Sequence, residues 1–364
     1  MTNDPAPAPD TIPHRGPGRE AARVQEAARA DDFLPPVEPP SAGFLVQLFL
    51  VPAVIVAIIV SVWLAFHWIA HLGSDPQALV RTLRRDNEGR WQAALNLAND
   101  LRGPGGATLK ADESLARDLG QVLDDEVKSG RTGEQSQTLR IYLCRALGEF
   151  TTPAAAAPLV RLASGEGDPQ VVRAAVEGLA LLASNLRSGG TSADDELSTQ
   201  IRDAVITASR SQDPAVRSSA AFALGVIGGE PAEKRLGELV LSGENDAKSA
   251  DIRYNAATAL ARLGREEAFE PLAEMLSLPE EPAPEGPQSP EAAAALQSRR
   301  YKRAMVVVNA LRGVAFLVDA GAKDVPDRIE SLVESLARDP VAEVRSSAAA
   351  ILLKLRRGSP AGER

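Results

Sequence analysis

The chain has 364 residues, a formal net charge of −9, and aromatic residues at only 4% of its composition. A chain this acidic lacks the basic surface that neutralises a phosphate backbone, so we expect no nucleic-acid partner. Its single cysteine, Cys144, excludes an intrachain disulfide framework. Few aromatic residues and abundant alanine and leucine favour closely packed helices, and we predict an all-α fold.

Residues 1–42 are rich in proline and carry scattered charges. This composition cannot bury enough apolar surface to offset the entropy of ordering the chain, so we predict a disordered tail. The stretch PPVEPP within it has polyproline II character. It acts either as a spacer or, through its PxxP pattern, as a docking motif.

Residues 44–70 form an apolar run, FLVQLFLVPAVIVAIIVSVWLAFHWIA, that contains no Asp, Glu, Lys or Arg. The run exceeds the roughly 20 residues that cross a bilayer, so we predict a transmembrane helix over residues 43–70. Trp63 and Trp68 lie near one end, where indole rings favour the headgroup region. A cleavable signal peptide is the alternative, but this run is longer than a typical apolar signal region and follows a long tail.

From residue 75 to residue 357, apolar residues recur at spacings of three and four, which indicates helices. The phrase DPAVRSSAAFALGVIGG, which begins at Asp213, returns from Asp339 as DPVAEVRSSAAAILLKL. In its frame, a position occupied by arginine is followed seven residues later by leucine. We find this frame at seven positions, separated by 32 to 51 residues, namely 90, 140, 172, 217, 253, 304 and 345. At 172 and 304 another residue stands in place of arginine, but the leucine seven residues later is kept. These spacings bracket the period of helix-pair solenoids.

Each copy is consistent with one half of a helical hairpin. Asp168, Asp213 and Asp339 each precede a proline, so the carboxylate can cap free amides while proline occupies the first turn. A second apolar segment follows each copy, and neighbouring hairpins must stack to cover their apolar faces. We attribute the long first spacing to the segment at 102–126. A proline-rich acidic insertion occupies 279–291.

These motifs resemble the bacterial type of HEAT repeat, whose pattern is D-P-x-V-R-x-x-A-A-x-A-L-G. DPAVRSSAAFALGVIG matches it in full, and DIRYNAATALARLG matches it in part. The resemblance implies a right-handed α-solenoid over residues 75–357, with a flexible C-terminus at 358–364. It also implies a structural ladder formed by the Asp and Arg side chains of successive motifs, here Asp213, Arg217, Arg253 and Arg345. Val172 and Ala304 depart from arginine and put the continuity of that ladder in doubt.

HEAT solenoids mostly bind macromolecules on a concave face lined by second helices, so the resemblance implies a protein partner. The candidate binding residues are the exposed polar residues predicted on second helices, namely Arg161, Lys234, Glu238, Glu274 and Arg328.

We predict no catalytic, cofactor-binding or metal-binding residues. The family members that hydroxylate a modified lysine hold iron with His-Glu pairs, but the only histidines here are His14, His67 and His71, which lie before the repeats. Cys144 lies among apolar residues and is interpreted as a buried core residue rather than a nucleophile. The acidic cluster at 124–126 serves either for capping and solubility or for binding a cation.

Arginines close to the apolar run predict its orientation, because cytoplasmic flanks carry the excess of Lys and Arg. Arg81, Arg84, Arg85 and Arg90 follow the run, whereas only Arg29 lies equally close before it. We therefore expect a single-pass protein of the cell membrane, with its solenoid in the cytoplasm. The expected function is a scaffold or adaptor for a protein partner. A modifying-enzyme or lyase subunit and an accessory subunit of a membrane transport complex are the alternatives.

Overall fold

The computed structural model describes residues 41–71, 76–85, 89–189, 195–241, 247–282, 286, 289–322 and 324–358. The chain divides into two compact units, Met1–Gly73 and Ser74–Arg364. All regular structure in the described ranges is helical, as the sequence predicts. The predicted disordered tail lies outside the described residues except for its last two, and residues 359–364 of the predicted flexible C-terminus lie outside them as well.

The described part of the first unit is one helix, α1, Ala42–His71. Within it, Val46–Phe66 has a mean hydropathy of 2.8, and none of this stretch is buried. By length and composition alone, it is the one helix in the described ranges long and apolar enough to cross a membrane. The helix matches the predicted span of 43–70. Its large apolar side chains are exposed, including those of Phe49 and Trp63.

The second unit consists of helices joined by short turns. Their bounds are α2 Pro76–Arg84, α3 Arg90–Arg102, α4 Ala107–Lys110, α5 Glu113–Lys128, α6 Glu134–Gly148, α7 Ala156–Ser164, α8 Pro169–Ser188, α9 Asp195–Ala208, α10 Pro214–Ile227, α11 Glu230–Leu241, α12 Ala247–Arg262, α13 Phe269–Leu276, α14 Pro290–Asp319, α15 Asp327–Leu336 and α16 Ala342–Gly358. Short 3₁₀ turns precede α7 and α13.

The helices of the second unit form two layers. In the first layer, each helix packs against the next in the order α3, α6, α8, α10, α12, α14 and α16. The second layer contains α2, α5, α7, α9, α11, α13 and α15, each packed against first-layer helices. All seven positions of the sequence frame fall on first-layer helices. The stacked helix pairs are therefore confirmed, while the right-handed sense of the solenoid stays a prediction.

Two boundaries differ from expectation. The segment at 102–126 is more than a long connection, because most of it forms α4 and the second-layer helix α5. Asp112 caps α5, and Leu115, Leu119 and Leu123 are buried at helical spacing. The proline-rich insertion also ends earlier than predicted, since the Ser289 hydroxyl accepts from the amide of Ala292 at 3.2 Å and α14 begins at Pro290.

Aspartate caps set the starts of first-layer helices, as predicted. Asp213 accepts hydrogen bonds from the amides of Ala215 and Val216 at 2.8 and 3.1 Å. Asp168 caps α8 in the same way, with Pro169 in the first turn. Asp339 accepts from the amide of Val341 at 2.9 Å before α16 begins. The carboxylates satisfy amides that have no partner within the helix.

Small residues let first-layer helices approach closely. A Cβ atom added to Gly225 on α10 would lie 2.5 Å from the Cβ of Ala259 on α12. A Cβ added to Gly148 on α6 would lie 2.8 Å from the Cα of Gly178 on α8. Neither contact leaves room for a methyl group, because it would meet backbone or a neighbouring Cβ. The spacing of the first layer therefore depends on these glycines.

We expect Gly225→Ala to destabilise the second unit by about 1–3 kcal/mol, because the added methyl overpacks the contact with α12. The measurement is chemical unfolding of the full chain in uncharged detergent. Gly237→Ala is the matched control, since Gly237 lies inside α11 with no atom within 4 Å of its added Cβ. Alanine should stabilise that helix by about 0.5–1 kcal/mol. Equal effects of the two substitutions would contradict the close-contact explanation.

Candidate partner-binding surfaces

The five predicted binding residues lie on second-layer helices and are not gathered into one cluster. Arg161 on α7 forms an ion pair with Asp124 on α5. Arg328 on α15 reaches Glu270 on α13 at 3.2 Å. These two arginines therefore join neighbouring second-layer helices and are already paired with carboxylates.

The other three predicted binding residues differ in their partners. Glu274 on α13 accepts from Arg253 and from the hydroxyl of Tyr254. Glu238 on α11 pairs with Arg235 at 2.8 Å, and this hydrogen bond holds the pKa of the Glu238 carboxyl below its usual value. Lys234 is exposed and forms no ion pair with any residue that the structure describes. Lys234 therefore differs from the other four, whose side chains are already bonded within the chain.

The residues assigned to the ladder make their contacts inside single repeats. The side chain of Asp213 bonds the first amides of its own helix. Arg217 donates to the carbonyl oxygens of Ser211 and Gln212 at 2.9 and 3.0 Å. Arg345 donates in the same way to two carbonyl oxygens in the turn before α16, and Arg253 pairs with a carboxylate on the following helix. These four side chains brace turns and helix pairs, and a ladder between successive motifs stays a prediction for them.

Arg303 makes a contact between successive motifs. It lies next to Ala304, one of the two residues that depart from arginine in the repeat frame. Arg303, which precedes Ala304, donates to the carbonyl of Leu278 at 3.0 Å and pairs with the Asp339 carboxylate at 2.9 Å. Both side chains of this pair are largely buried. Arg303 thus performs the turn-bracing role of arginine one position earlier than the frame predicts.

A buried carboxylate, Glu126, ties the first helix pairs together. It accepts from Arg90 on α3 at 2.8 Å, from Arg131 at 3.1 Å and from the hydroxyl of Ser136 on α6 at 2.5 Å. Burial alone would raise the pKa of the Glu126 carboxyl, but the Ser136 hydrogen bond and the two arginine charges outweigh it and lower the pKa. Sequence reasoning grouped Glu126 with a surface acidic cluster, whereas its side chain is 1% exposed.

Glu126→Gln should destabilise the second unit by about 3 kcal/mol at pH 7, because it removes one partner of a buried ion pair. Since the folded-state pKa is lowered, the stabilisation by Glu126 exists above the unfolded-state pKa of about 4.3 and is lost as pH falls through the folded-state pKa. The difference between wild type and variant should therefore shrink on acidification. Unfolding free energies measured at a series of pH values test this.

The control for this prediction is Glu113→Gln, which removes an exposed carboxylate paired with Arg117. Exposed pairs contribute at most about 1 kcal/mol, so this variant should remain close to wild type. A Glu126→Gln defect of constant size at every pH would show that shape, and not charge, accounts for it.

An open groove lies between two turns of adjacent repeats. Its volume is about 800 Å³. It is lined by residues 163–167 with Pro169 and Val172 on one side, and by residues 207–208 and 210–214 on the other. Ala163, Val172 and Ala208 are buried and give it a floor of small apolar side chains. Both turns lead from a second-layer helix into a first-layer helix, α7 to α8 and α9 to α10.

Opposite charges stand at this groove. Glu166 and Arg210 are exposed, and neither forms an ion pair within the described part of the chain. The side chain of Gln212 is exposed beside them. Sequence reasoning missed this site because its two sides lie about forty residues apart in the chain. The signal that could have located it is the polar stretch before each Asp-Pro pair, SGEG and RSQ.

The cysteine and the histidines of the described chain lie in helices. Cys144 is fully buried in α6, and burial raises the pKa of its thiol to about 12. His67 and His71 lie in α1, and His14 lies outside the described residues. Within the described residues, no group of three or more His, Cys, Asp or Glu side chains could hold a metal ion.

Residues 201–283, which run from α9 past the end of α13, match a family model of HEAT repeats. This match supports the HEAT-repeat prediction for that stretch. Over 155 residues, 43% of this chain, the sequence is 28% identical to the HEAT repeat-containing taxis protein of Halobacterium salinarum. The matched part spans only 33% of that relative's length.

Two solved structures are similar to most of the chain. Human deoxyhypusine hydroxylase is 21% identical, with 78% of this chain and 96% of that chain covered and a TM-score of 0.29. The archaeal HEAT-like repeats protein from Thermococcus onnurineus is 13% identical, with 73% and 97% covered and a TM-score of 0.41. Likenesses of this strength do not bear on function.

Proposed function

We propose that this chain is a HEAT-repeat scaffold, held at a membrane by α1, that binds a peptide segment of a protein partner in the groove between the α7–α8 and α9–α10 turns. The observation that carries the proposal is the groove itself, with its small apolar floor and two side chains of opposite charge that lack ion-pair partners. The proposal assigns the chain no catalytic step.

The chemistry of the groove favours a polypeptide over a small molecule. Small-molecule sites are mostly concave and apolar and bury most of the ligand. This groove is open, its floor is formed by small apolar side chains, and polar groups surround it. A peptide that places a small apolar side chain on Ala163, Val172 and Ala208 could pair its flanking charges with Glu166 and Arg210. Paired charges across such a contact give specificity and fast association.

Anchoring by α1 rests on its length, its apolar composition and the exposure of its side chains. Burying these residues in lipid removes exposed apolar surface from water. The arginines that follow α1, Arg81, Arg84 and Arg85, support an orientation with the second unit in the cytoplasm. The positive charges near a span remain on the cytoplasmic side during insertion.

Site-specific photo-crosslinking tests the groove. A photoreactive residue is placed at Gln212 in the full chain in native membranes, and a discrete crosslinked product is expected. Arg210→Glu should abolish that product, because it places two like charges at the groove. Arg117→Glu is the matched control on α5 and should leave the product unchanged. A product that persists in Arg210→Glu would reject the groove as the binding site.

The same experiment compares the groove with the second-layer surface that the sequence predicts. A photoreactive residue at Lys234 on α11 should give no product of the same mass. Crosslinking at Lys234 alone would place the partner on the second-layer face instead. Absence of products at both positions would reject binding at either surface.

Membrane anchoring predicts that the full chain resists alkaline carbonate extraction and that deletion of residues 44–70 releases it.

The orientation of the second unit is tested by thiol labelling. Gln297→Cys places an exposed thiol on α14. Native Cys144 should stay unlabelled, because it is buried and its thiol pKa is about 12. A membrane-impermeant maleimide should therefore label the variant only after the cells are permeabilised. Labelling in intact cells would show the opposite orientation.

A further inference from the structure

The outer surface of the first layer holds an arginine between two aromatic rings. The guanidinium carbon of Arg262 on α12 lies 5.8 Å from the ring centroid of Phe222 on α10 and 5.5 Å from that of Phe316 on α14. Both distances are within the range of cation–π attraction. Arg262 is exposed, and the side chain of Phe222 is 52% exposed. The two rings therefore hold the guanidinium in place at the surface.

This guanidinium has no carboxylate partner. Arg262 forms no ion pair or hydrogen bond with any residue that the structure describes. A planar guanidinium carries five N–H donors, and contacts through its faces leave the donors along its edge available. Such a fixed fork matches the geometry of a carboxylate, which it binds through two parallel hydrogen bonds.

Two further arginines extend the same surface. Arg187 on α8 donates to the carbonyl of Val226 at 2.5 Å, and Val226 lies one helical turn after Phe222 on α10. Arg312 lies one turn before Phe316 on α14. Both are exposed, and neither forms an ion pair within the described ranges. We call Arg187, Phe222, Arg262, Arg312 and Phe316 the arginine–phenylalanine strip.

The strip stands out in a chain with a net charge of −9. By contrast, Arg90, Arg102 and Arg303 are bonded to carboxylates, and Arg217 and Arg345 to turn carbonyls. The nearest acidic side chain along α14 is Asp319, and both of its oxygens are bonded to Lys354 at 2.6 and 2.7 Å. The strip is therefore a surface with three arginines, none of which forms an ion pair with a carboxylate among the described residues.

The dimensions of the strip fit an extended chain. First-layer neighbours α8, α10, α12 and α14 pack in succession, at about 10 Å per step between axes. The strip therefore covers about 30 Å. A peptide in the extended polyproline II conformation rises about 3.1 Å per residue, so roughly nine to ten residues would cross it. This conformation has three residues per turn, so carboxylates three residues apart lie on one face of the peptide and match the spacing of the helices.

We propose that the arginine–phenylalanine strip binds an extended acidic peptide of a protein partner, with Arg262 gripping one carboxylate between the Phe222 and Phe316 rings. This contact goes beyond the proposed function, because it lies on first-layer helices and uses none of the residues that line the groove. The Phe222 and Phe316 rings supply apolar area beside the Arg262 charge. Aromatic residues and arginine are enriched at the energetic centres of protein interfaces.

The test uses the full chain in zwitterionic lipid nanodiscs and a fluorescein-labelled nine-residue peptide with glutamate at every third position and alanine elsewhere. The matched probe carries glutamine in place of glutamate. Fluorescence anisotropy should show binding of the glutamate peptide at least tenfold tighter than binding of the glutamine peptide. The difference should fall as salt rises, because exposed charge pairs are screened.

Three variants assign the binding to the strip. Arg262→Gln should weaken glutamate-peptide binding at least tenfold. Arg262→Lys keeps the charge but loses the planar fork, so it should also bind weakly. Arg299→Gln removes an arginine already paired with Glu281 and should bind as wild type does. Thermal unfolding of all three variants close to that of wild type would show that the effects do not come from misfolding.

The outcomes that overturn the proposal are specific. Equal binding of the two peptides, or undiminished binding by Arg262→Gln, would show that Arg262 only braces three helices. A further arm adds vesicles of phosphatidylserine and phosphatidylcholine. Loss of vesicle binding in Arg262→Gln without any glutamate-peptide binding would assign the strip to anionic lipid and reject the peptide. None of these results depends on the groove, so failure here leaves the proposed function to its own crosslinking test.

Discussion

Close contact between first-layer helices is the constraint on which the second unit depends. Where α10 meets α12 and where α6 meets α8, a glycine faces a glycine or an alanine with no space for another methyl group. Both contacts need such small residues, and they matter because an array of helix pairs is stable only when each apolar face is covered by its neighbour. The same contacts set the distance between successive turns and between successive outer faces, so both proposed binding surfaces inherit their spacing from them.

Charge is used in two different ways in the molecule. Glu126 and Glu149 are buried carboxylates. Glu126 is held by Arg90 on α3 and by Arg131 in the turn after α5, and Glu149 is held by Arg102 on α3 and Lys110 on α4. Breaking such a pair leaves a buried charge without its partner, so these carboxylates fix which helices belong together. By contrast, Arg210 and Arg262 are exposed and form no ion pairs within the described chain. Buried charges specify the fold, and unpaired exposed charges are available for recognition.

Much of the architecture follows from local sequence. Aspartate before proline predicts helix starts because a cap needs only neighbouring residues, and Asp168 and Asp213 cap as expected. The interval of seven residues between the arginine position and leucine identifies first-layer helices, because seven residues are about two helical turns and both positions lie on the same side of the helix. Helix α5 was overlooked because it follows a glycine-rich turn and lacks an Asp-Pro start, although Leu115, Leu119 and Leu123 carry its helical period.

Binding surfaces were harder to predict because they arise from residues distant in sequence. The groove joins two turns of different repeats, and the arginine–phenylalanine strip joins side chains from four helices. Position on a second-layer helix did predict exposure for Arg161 and Lys234, but it could not show that Arg161 is paired with Asp124. The contacts of the predicted ladder residues were equally hard to foresee, because the carbonyl oxygens of the preceding turn accept from Arg217 and Arg345, whereas Arg303 pairs with the aspartate of the next motif.

The last described first-layer helix, α16, has one uncovered side. It is tied to the preceding repeat by the Arg303–Asp339 and Lys354–Asp319 ion pairs, but it leaves Ala349, Ala350 and Leu353 exposed. In an array of neighbour contacts, opening begins where a unit has the fewest contacts and then spreads inwards. Amide hydrogen exchange should accordingly be fastest at the α16 end and slowest near α6, which would make the C-terminal repeats the adaptable part of the scaffold.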